Sequence, residues 1–163
     1  MEQRTVTAEI NVRSIQDTAS LAEWLASRAF PGALLALDGD LGAGKTTLSQ
    51  AFAAALGVPG IVNSPTFTII KEYRGSSLPL YHMDVYRVTL EEADELGLDE
   101  YFYGEGVTIV EWASIIDELL PPQRLDIYIE HMGGELRRIR LAGSGEPYAE
   151  WCEEWNRMGA TTK

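Results

Sequence analysis

Residues 39–46 read Gly39-Asp40-Leu41-Gly42-Ala43-Gly44-Lys45-Thr46, and they match the pattern G-x-x-x-x-G-K-T at every fixed position. Each fixed residue type has a physical task. The glycines let the backbone fold tightly and aim several N–H groups at one anion. Lys45 brings a point charge to the β- and γ-phosphates of a nucleoside triphosphate, and Thr46 brings a hydroxyl to Mg²⁺. A helix that opens at this point adds the positive end of its dipole. The flanking sequence supplies the context such a loop needs. Before it, Ala33-Leu34-Leu35-Ala36-Leu37 is wholly apolar, the pattern of a strand buried on both faces of a parallel sheet. After it, residues 45–56 predict a helix, which Gly57 is placed to end and Pro59 cannot continue.

Moving outward, residues 5–12 alternate as a strand does. Ser14 then offers an N-cap, with Asp17 three residues on, ahead of Leu21, Ala22, Leu25 and Ala29 at helical spacing. On the C-terminal side, residues 66–73 and 80–85 read as strands joined across Gly75-Ser76-Ser77. Thr89 and Glu92 make a capping box for a short acidic helix. Residues 107–110 are a second buried apolar strand, and residues 114–120 a helical turn or two, stopped by Pro121-Pro122. Residues 125–130 and 135–141 predict a hairpin across Gly133-Gly134. Residues 146–158 predict a last helix carrying Trp151 and Trp155 at i and i+4. Strands and helices alternate early and hairpins follow late. The expected fold is therefore an α/β P-loop NTPase with a mainly parallel central sheet, flanking helices and an antiparallel C-terminal extension.

The 163 residues suit a single domain, and 45% of them are hydrophobic. Cys152 is the one cysteine, so no intrachain disulfide is possible. No apolar run approaches the roughly 20 residues that span a bilayer, and the expected location is the cytoplasm. Twenty-five acidic against 13 basic residues give a net charge of -12, which disfavours direct, tight nucleic-acid binding and fits a partner with a basic surface.

A phosphate loop needs a carboxylate at a neighbouring strand end to hold Mg²⁺ and a group to orient the attacking water. Asp84, closing Leu80-Tyr81-His82-Met83-Asp84, and Glu111, closing Val107-Thr108-Ile109-Val110-Glu111, both stand at carboxyl ends of strands, where ligands bind in open α/β sheets. Glu111 is the cleaner candidate, a single acid after a buried strand. His82 is a structural histidine or a general base. Trp112 covers the site, stacks on a base or packs in the core. Arg137, Arg138 and Arg140 form a basic cluster in a predicted strand, and His131 has no visible partner.

Several segments now stand in one order: the glycine loop extended by Thr47, then Ser64-Pro65-Thr66-Phe67-Thr68, Glu72-Tyr73, His82-Met83-Asp84-Val85-Tyr86-Arg87, Gly97-Leu98 and Val110-Glu111-Trp112. Over about residues 14–142 the chain resembles the TsaE family of small bacterial P-loop ATPases. The resemblance implies an accessory ATPase role in forming threonylcarbamoyladenosine at position 37 of tRNAs that read ANN codons. Such a protein supports repeated turnover of a TsaD–TsaB pair and meets tRNA only through that complex. It further implies that Lys45 and Thr46 hold phosphate and Mg²⁺, and that Ser64 to Thr68 form a switch-like loop near the γ-phosphate. Asp84 and Glu111 then serve Mg²⁺ and catalysis, with Trp112 near the nucleotide.

Three other functions compete. A small P-loop kinase needs a mobile lid of arginines, whereas the Arg137–Arg140 cluster falls in a predicted strand. A GTPase switch needs an Asn/Thr-Lys-x-Asp segment to read guanine; none is present, so ATP is the expected nucleotide. A nucleotide-sensing module without turnover carries the same loop.

Overall fold

The computed structural model describes residues 3–40, 42, 44–60 and 70–161. In chain order the elements are β1 (Thr5–Val12), α1 (Ile15–Arg28), β2 (Leu34–Gly39), α2 (Lys45–Ala55), β3 (Ile70–Arg74) and β4 (Pro79–Asp84). They continue as α3 (Leu90–Asp94), α4 (Asp99–Phe102), β5 (Val107–Glu111), a 3₁₀ segment (Ala113–Leu119), β6 (Arg124–Gly133), β7 (Leu136–Ser144) and α5 (Tyr148–Thr161).

The strands form one sheet in the order β1-β7-β6-β2-β5-β4-β3. Its centre, β6-β2-β5-β4, is parallel throughout. Both faces of that centre are covered, which is why β2 and β5 read as unbroken apolar runs. One apolar layer lies against α1, α2 and α5 and includes Leu35, Leu37, Leu48 and Phe52. A second lies on the opposite face and joins Leu34, Ala36, Met83 and Val110 to Ala93, Phe102 and Ile116.

Antiparallel pairs flank the centre. The β6–β7 hairpin is the expected C-terminal extension, and β3 pairs with β4 at the other edge. Of the strand expected over 66–73, residues 66–69 lie outside the described residues. One strand departs from the early parallel alternation: β1 joins the far edge, antiparallel to β7. Its alternating burial, with Ala8 and Val12 inward and Thr7 and Glu9 outward, suits a strand covered on one side only.

Local signals work as their chemistry requires. Ser14 Oγ accepts from Asp17 N at 3.3 Å, and Asp17 Oδ2 accepts from Arg13 N at 3.0 Å. The Thr89–Glu92 capping box is complete. Past α2, Gly57 adopts φ 88°, and the N–H groups of Gly57 and Val58 bond Ala54 O and Ala53 O at 3.0 Å. The helical turns expected after Ser114 are 3₁₀ in character, broken at Ile116. The C-terminal tryptophans are structural: Trp151 and Trp155 lie 6.1 and 5.2 Å from Trp24 of α1, and Tyr148 Oη accepts from Leu34 N at 3.0 Å.

Candidate functional site

The site is built where β2 ends and α2 begins. Gly39 closes β2 at φ 147°, and a side chain there would place Cβ 2.3 Å from the Ile129 carbonyl oxygen of β6. Gly44 caps α2 at φ 117°, a left-handed conformation that only glycine adopts without strain. Asp40 and Gly42 fall between them; Leu41 and Ala43 lie outside the described residues, as do Ser64 to Thr68.

Lys45 is only 5% exposed. Its Nζ donates to Gly39 O at 2.8 Å and to Asp40 O at 2.9 Å, and sits 3.9 Å from the centroid of the Trp112 ring. Burial lowers the Lys45 pKa from its ordinary value, while Glu111, Asp38, Asp40 and Asp84 pull the other way. Trp112 follows β5 directly, with φ 63°, and its ring lies 4.7 Å from that of Tyr86.

Glu111 ends β5 and is 2% exposed. Thr46 Oγ1 donates to its Oε1 at 3.2 Å, and Ser49 Oγ to its Oε2 at 3.5 Å. His82 Nε2 lies 2.5 Å from the same Oε2. Asp84 is the register partner of Glu111 across the parallel β4–β5 pair, so the two carboxylates stand side by side on one face. Half-burial raises the Asp84 pKa, the Tyr86 N–H bonded to Oδ1 at 3.0 Å lowers it, and Glu111 raises it again. The structure thus brings Lys45, Thr46, Asp84, Glu111 and Trp112 together as a cluster. A hydroxyl and two carboxylates beside a buried ammonium are hard oxygen donors, the set that Mg²⁺ with phosphate oxygens takes.

Thr47 and Gly44 border a separate cavity of about 190 Å³, closed by Ser14, Thr18, Ile129, Arg137 and Ile139. Of the remaining candidates, Arg137 borders this cavity and the others lie elsewhere. His131 Nε2 faces Gly134 O at 3.1 Å in the β6–β7 turn. Arg138 pairs with Glu9 at 2.9 Å, Arg140 with Glu130 at 3.0 Å, and Arg137 donates to Gly134 O at 2.7 Å. Arg138 and Arg140 thus make a neutralised strand face, while Arg137 borders the cavity beside Gly44.

The model for threonylcarbamoyl adenosine biosynthesis protein TsaE matches residues 12–139, a stretch that spans the glycine loop, both strand-end carboxylates and Trp112. The chain belongs to the TsaE family. It is 54% identical to the tRNA threonylcarbamoyladenosine biosynthesis protein TsaE of Bacillus subtilis (strain 168) over 142 residues, 87% of this chain and 89% of the relative. It is 37% identical to the TsaE of Treponema pallidum (strain Nichols) over 131 residues, 80% of this chain and 96% of that one. The crystal structure of Bacillus subtilis YdiB superposes with a TM-score of 0.82 at 46% identity, covering 96% of this chain and 98% of that one.

The sequence places Asp84 and Glu111 at strand ends, as the structure does, but does not reveal their partners. The contacts of Glu111 with His82 and Ser49, and of Lys45 with Trp112, depend on strand register and on the pitch of α2. One signal was available: His82 and Asp84, two apart on a strand, share a face.

Proposed function

We propose that this TsaE-family chain binds ATP with Mg²⁺, hydrolyses it, and thereby supports threonylcarbamoyladenosine formation at position 37 of tRNAs reading ANN codons, sustaining repeated turnover of a TsaD–TsaB pair. The observation that carries the reading is the 3.2 Å hydrogen bond from Thr46 to Glu111, which joins the phosphate loop to the strand-end acid. Lys45 and the loop N–H groups hold the β- and γ-phosphates. Thr46, Glu111 and Asp84 are the residues that would hold Mg²⁺, which would supply positive charge to neutralise charge developing on the phosphate. The two carboxylates divide the metal-holding and water-orienting work. Trp112 covers Lys45 and shields the phosphates from bulk water. Ser64 to Thr68 form the switch-like loop.

Adenine is preferred because no guanine-reading Asn/Thr-Lys-x-Asp segment exists, and the cavity beside Thr47 is its seat. Two relatives whose names assign them to tRNA threonylcarbamoyladenosine biosynthesis match over most of both chains, which supports the pathway reading. No helix among the described residues is long and apolar enough to cross a membrane; we place the protein in the cytoplasm, working as one domain over residues 1–163.

The test is threonylcarbamoyladenosine formed per TsaD, with the TsaD–TsaB pair, tRNA and ATP, with and without this protein. Many rounds with it and about one without are expected. Equal yield in both overturns the assignment. Phosphate transfer to a small acceptor, in place of release to water, replaces it with a kinase.

A further inference from the structure

We infer that His82 is a positioning residue for Glu111, holding the carboxylate in the orientation that ATP hydrolysis needs; the inference rests on the ATPase reading above. His82 sits on β4, is 1% exposed, and has Nε2 2.5 Å from Glu111 Oε2. An ionised carboxylate only accepts hydrogen bonds, so Nε2 is the donor. Nε2 is taken up by Glu111 and Nδ1 is buried without a partner among the described residues, so the ring acts through the carboxylate. What it controls is the torsion of Glu111. The carboxylate is held at both ends: Oε2 by His82 and, at 3.5 Å, by Ser49, and Oε1 by the Thr46 hydroxyl at 3.2 Å. A carboxylate fixed this way presents the Oε1 edge toward the phosphate loop.

A second observation separates this role from packing. His82 Nδ1 is buried and has no hydrogen-bond partner among the described residues. Its neighbours are mixed: Leu80 two residues earlier and Ile109 opposite on β5 are apolar, while Asp84 two residues later and Lys71 opposite on β3 are charged. An aliphatic side chain would satisfy the core there without an orphaned nitrogen. The histidine is therefore kept for its other nitrogen, the one on Glu111. Outer partners of this kind orient the groups that touch metal and substrate. The role needs the hydrogen bond, and no change of charge on the ring.

The experiment compares the parent chain with His82→Gln, His82→Leu and His82→Asn. A glutamine amide reaches about as far as Nε2 and keeps a donor on Glu111; leucine has none, and asparagine is too short. Calorimetric affinity for ATP with Mg²⁺ and single-turnover hydrolysis are read on each, with a thermal melt as the folding control. His82→Gln should hydrolyse within about threefold of the parent, while His82→Leu and His82→Asn lose roughly 10- to 100-fold in rate and keep ATP affinity within about threefold. Should His82→Leu not fold, the Gln and Asn pair makes the same comparison. Parental rates in His82→Leu or His82→Asn overturn the inference. So does equal loss in Gln and Asn, or affinity that falls in step with rate, since either reports only a structural ring. Absence of hydrolysis in the parent, alone and with the TsaD–TsaB pair, instead defeats the ATPase reading on which the inference rests.

Discussion

The Lys45 ammonium is held against the face of Trp112, 3.9 Å from the ring centroid, and by the carbonyls of Gly39 and Asp40. A triphosphate competes for that ammonium. ATP binding should therefore change the environment of Trp112, whereas Trp24 of α1 packs with Trp151 and Trp155 of α5 away from the loop. Intrinsic fluorescence should respond to ATP in the parent and lose that response in Trp112→Phe. A full response in the variant would mean that the signal comes from the distant cluster.

Lys45→Ala should fold, because desolvation of the ammonium, which lowers its pKa, offsets what its bonds to Gly39 O and Asp40 O contribute. It should lose ATP affinity, since a charge-assisted bond to phosphate contributes about 1.5–3 kcal/mol, roughly 10- to 150-fold. Calorimetry on both proteins measures the ratio, and equal affinity would remove Lys45 from the nucleotide site.

Glu111→Ala and Asp84→Ala leave Lys45 and the loop amides in place. Glu111→Ala should keep ATP binding while single-turnover hydrolysis falls by about 100-fold or more, because phosphoryl transfer depends on metal and water positioning. Asp84→Ala should show its defect in the Mg²⁺ dependence of binding or turnover. Undiminished hydrolysis in Glu111→Ala would move the catalytic carboxylate elsewhere.

The phosphate loop, its strand and its helix are legible in sequence because their signals are local: glycines at fixed offsets, an apolar run, a helix stop at Gly57. The strand-end acids are legible for the same reason. The placement of β1 is not, because its partner β7 stands about 130 residues away and an alternating pattern says only that one face is covered. The grip of His82 on Glu111 is hidden likewise, since it needs the β4–β5 register that pairs Asp84 with Glu111. Arg138 and Arg140 of β7 read as part of a basic cluster until Glu9 and Glu130 are found beside them.

Alkali should destabilise the fold through two buried groups on α5. Desolvation pushes the Cys152 thiol up to about 11 from 9.0, and the Tyr148 hydroxyl up to about 12 from 10.0. Both folded pKa values lie above the unfolded ones. The stabilisation is thus complete below about pH 9 and is lost as pH rises through the window to about 12, where the unfolded chain sheds protons the folded one keeps. Urea midpoints should fall from about pH 8 to about pH 11, and Tyr148→Phe should lessen the fall while costing about 1 kcal/mol at pH 8 for the lost bond from Leu34 N. A midpoint flat across that range would contradict the burial of both groups.

The protein alone should not bind tRNA tightly. Affinity for a polyphosphate comes from cations that displace its counterions. This chain carries a net charge of -12, and its arginines are largely spoken for. Arg28 pairs with Glu154, Arg124 with Asp117 and Asp126, Arg138 with Glu9, Arg140 with Glu130, and Arg157 with Glu150. Each pair would have to break, against an unfavourable overall field, before a phosphate could take the guanidinium. Gel shifts at physiological salt should show no complex at micromolar protein, and recruitment to tRNA should appear only when the TsaD–TsaB pair is added. A sub-micromolar complex with tRNA alone, weakening steeply as salt is raised, would mean that a basic surface forms despite these pairs and that the protein meets its tRNA directly.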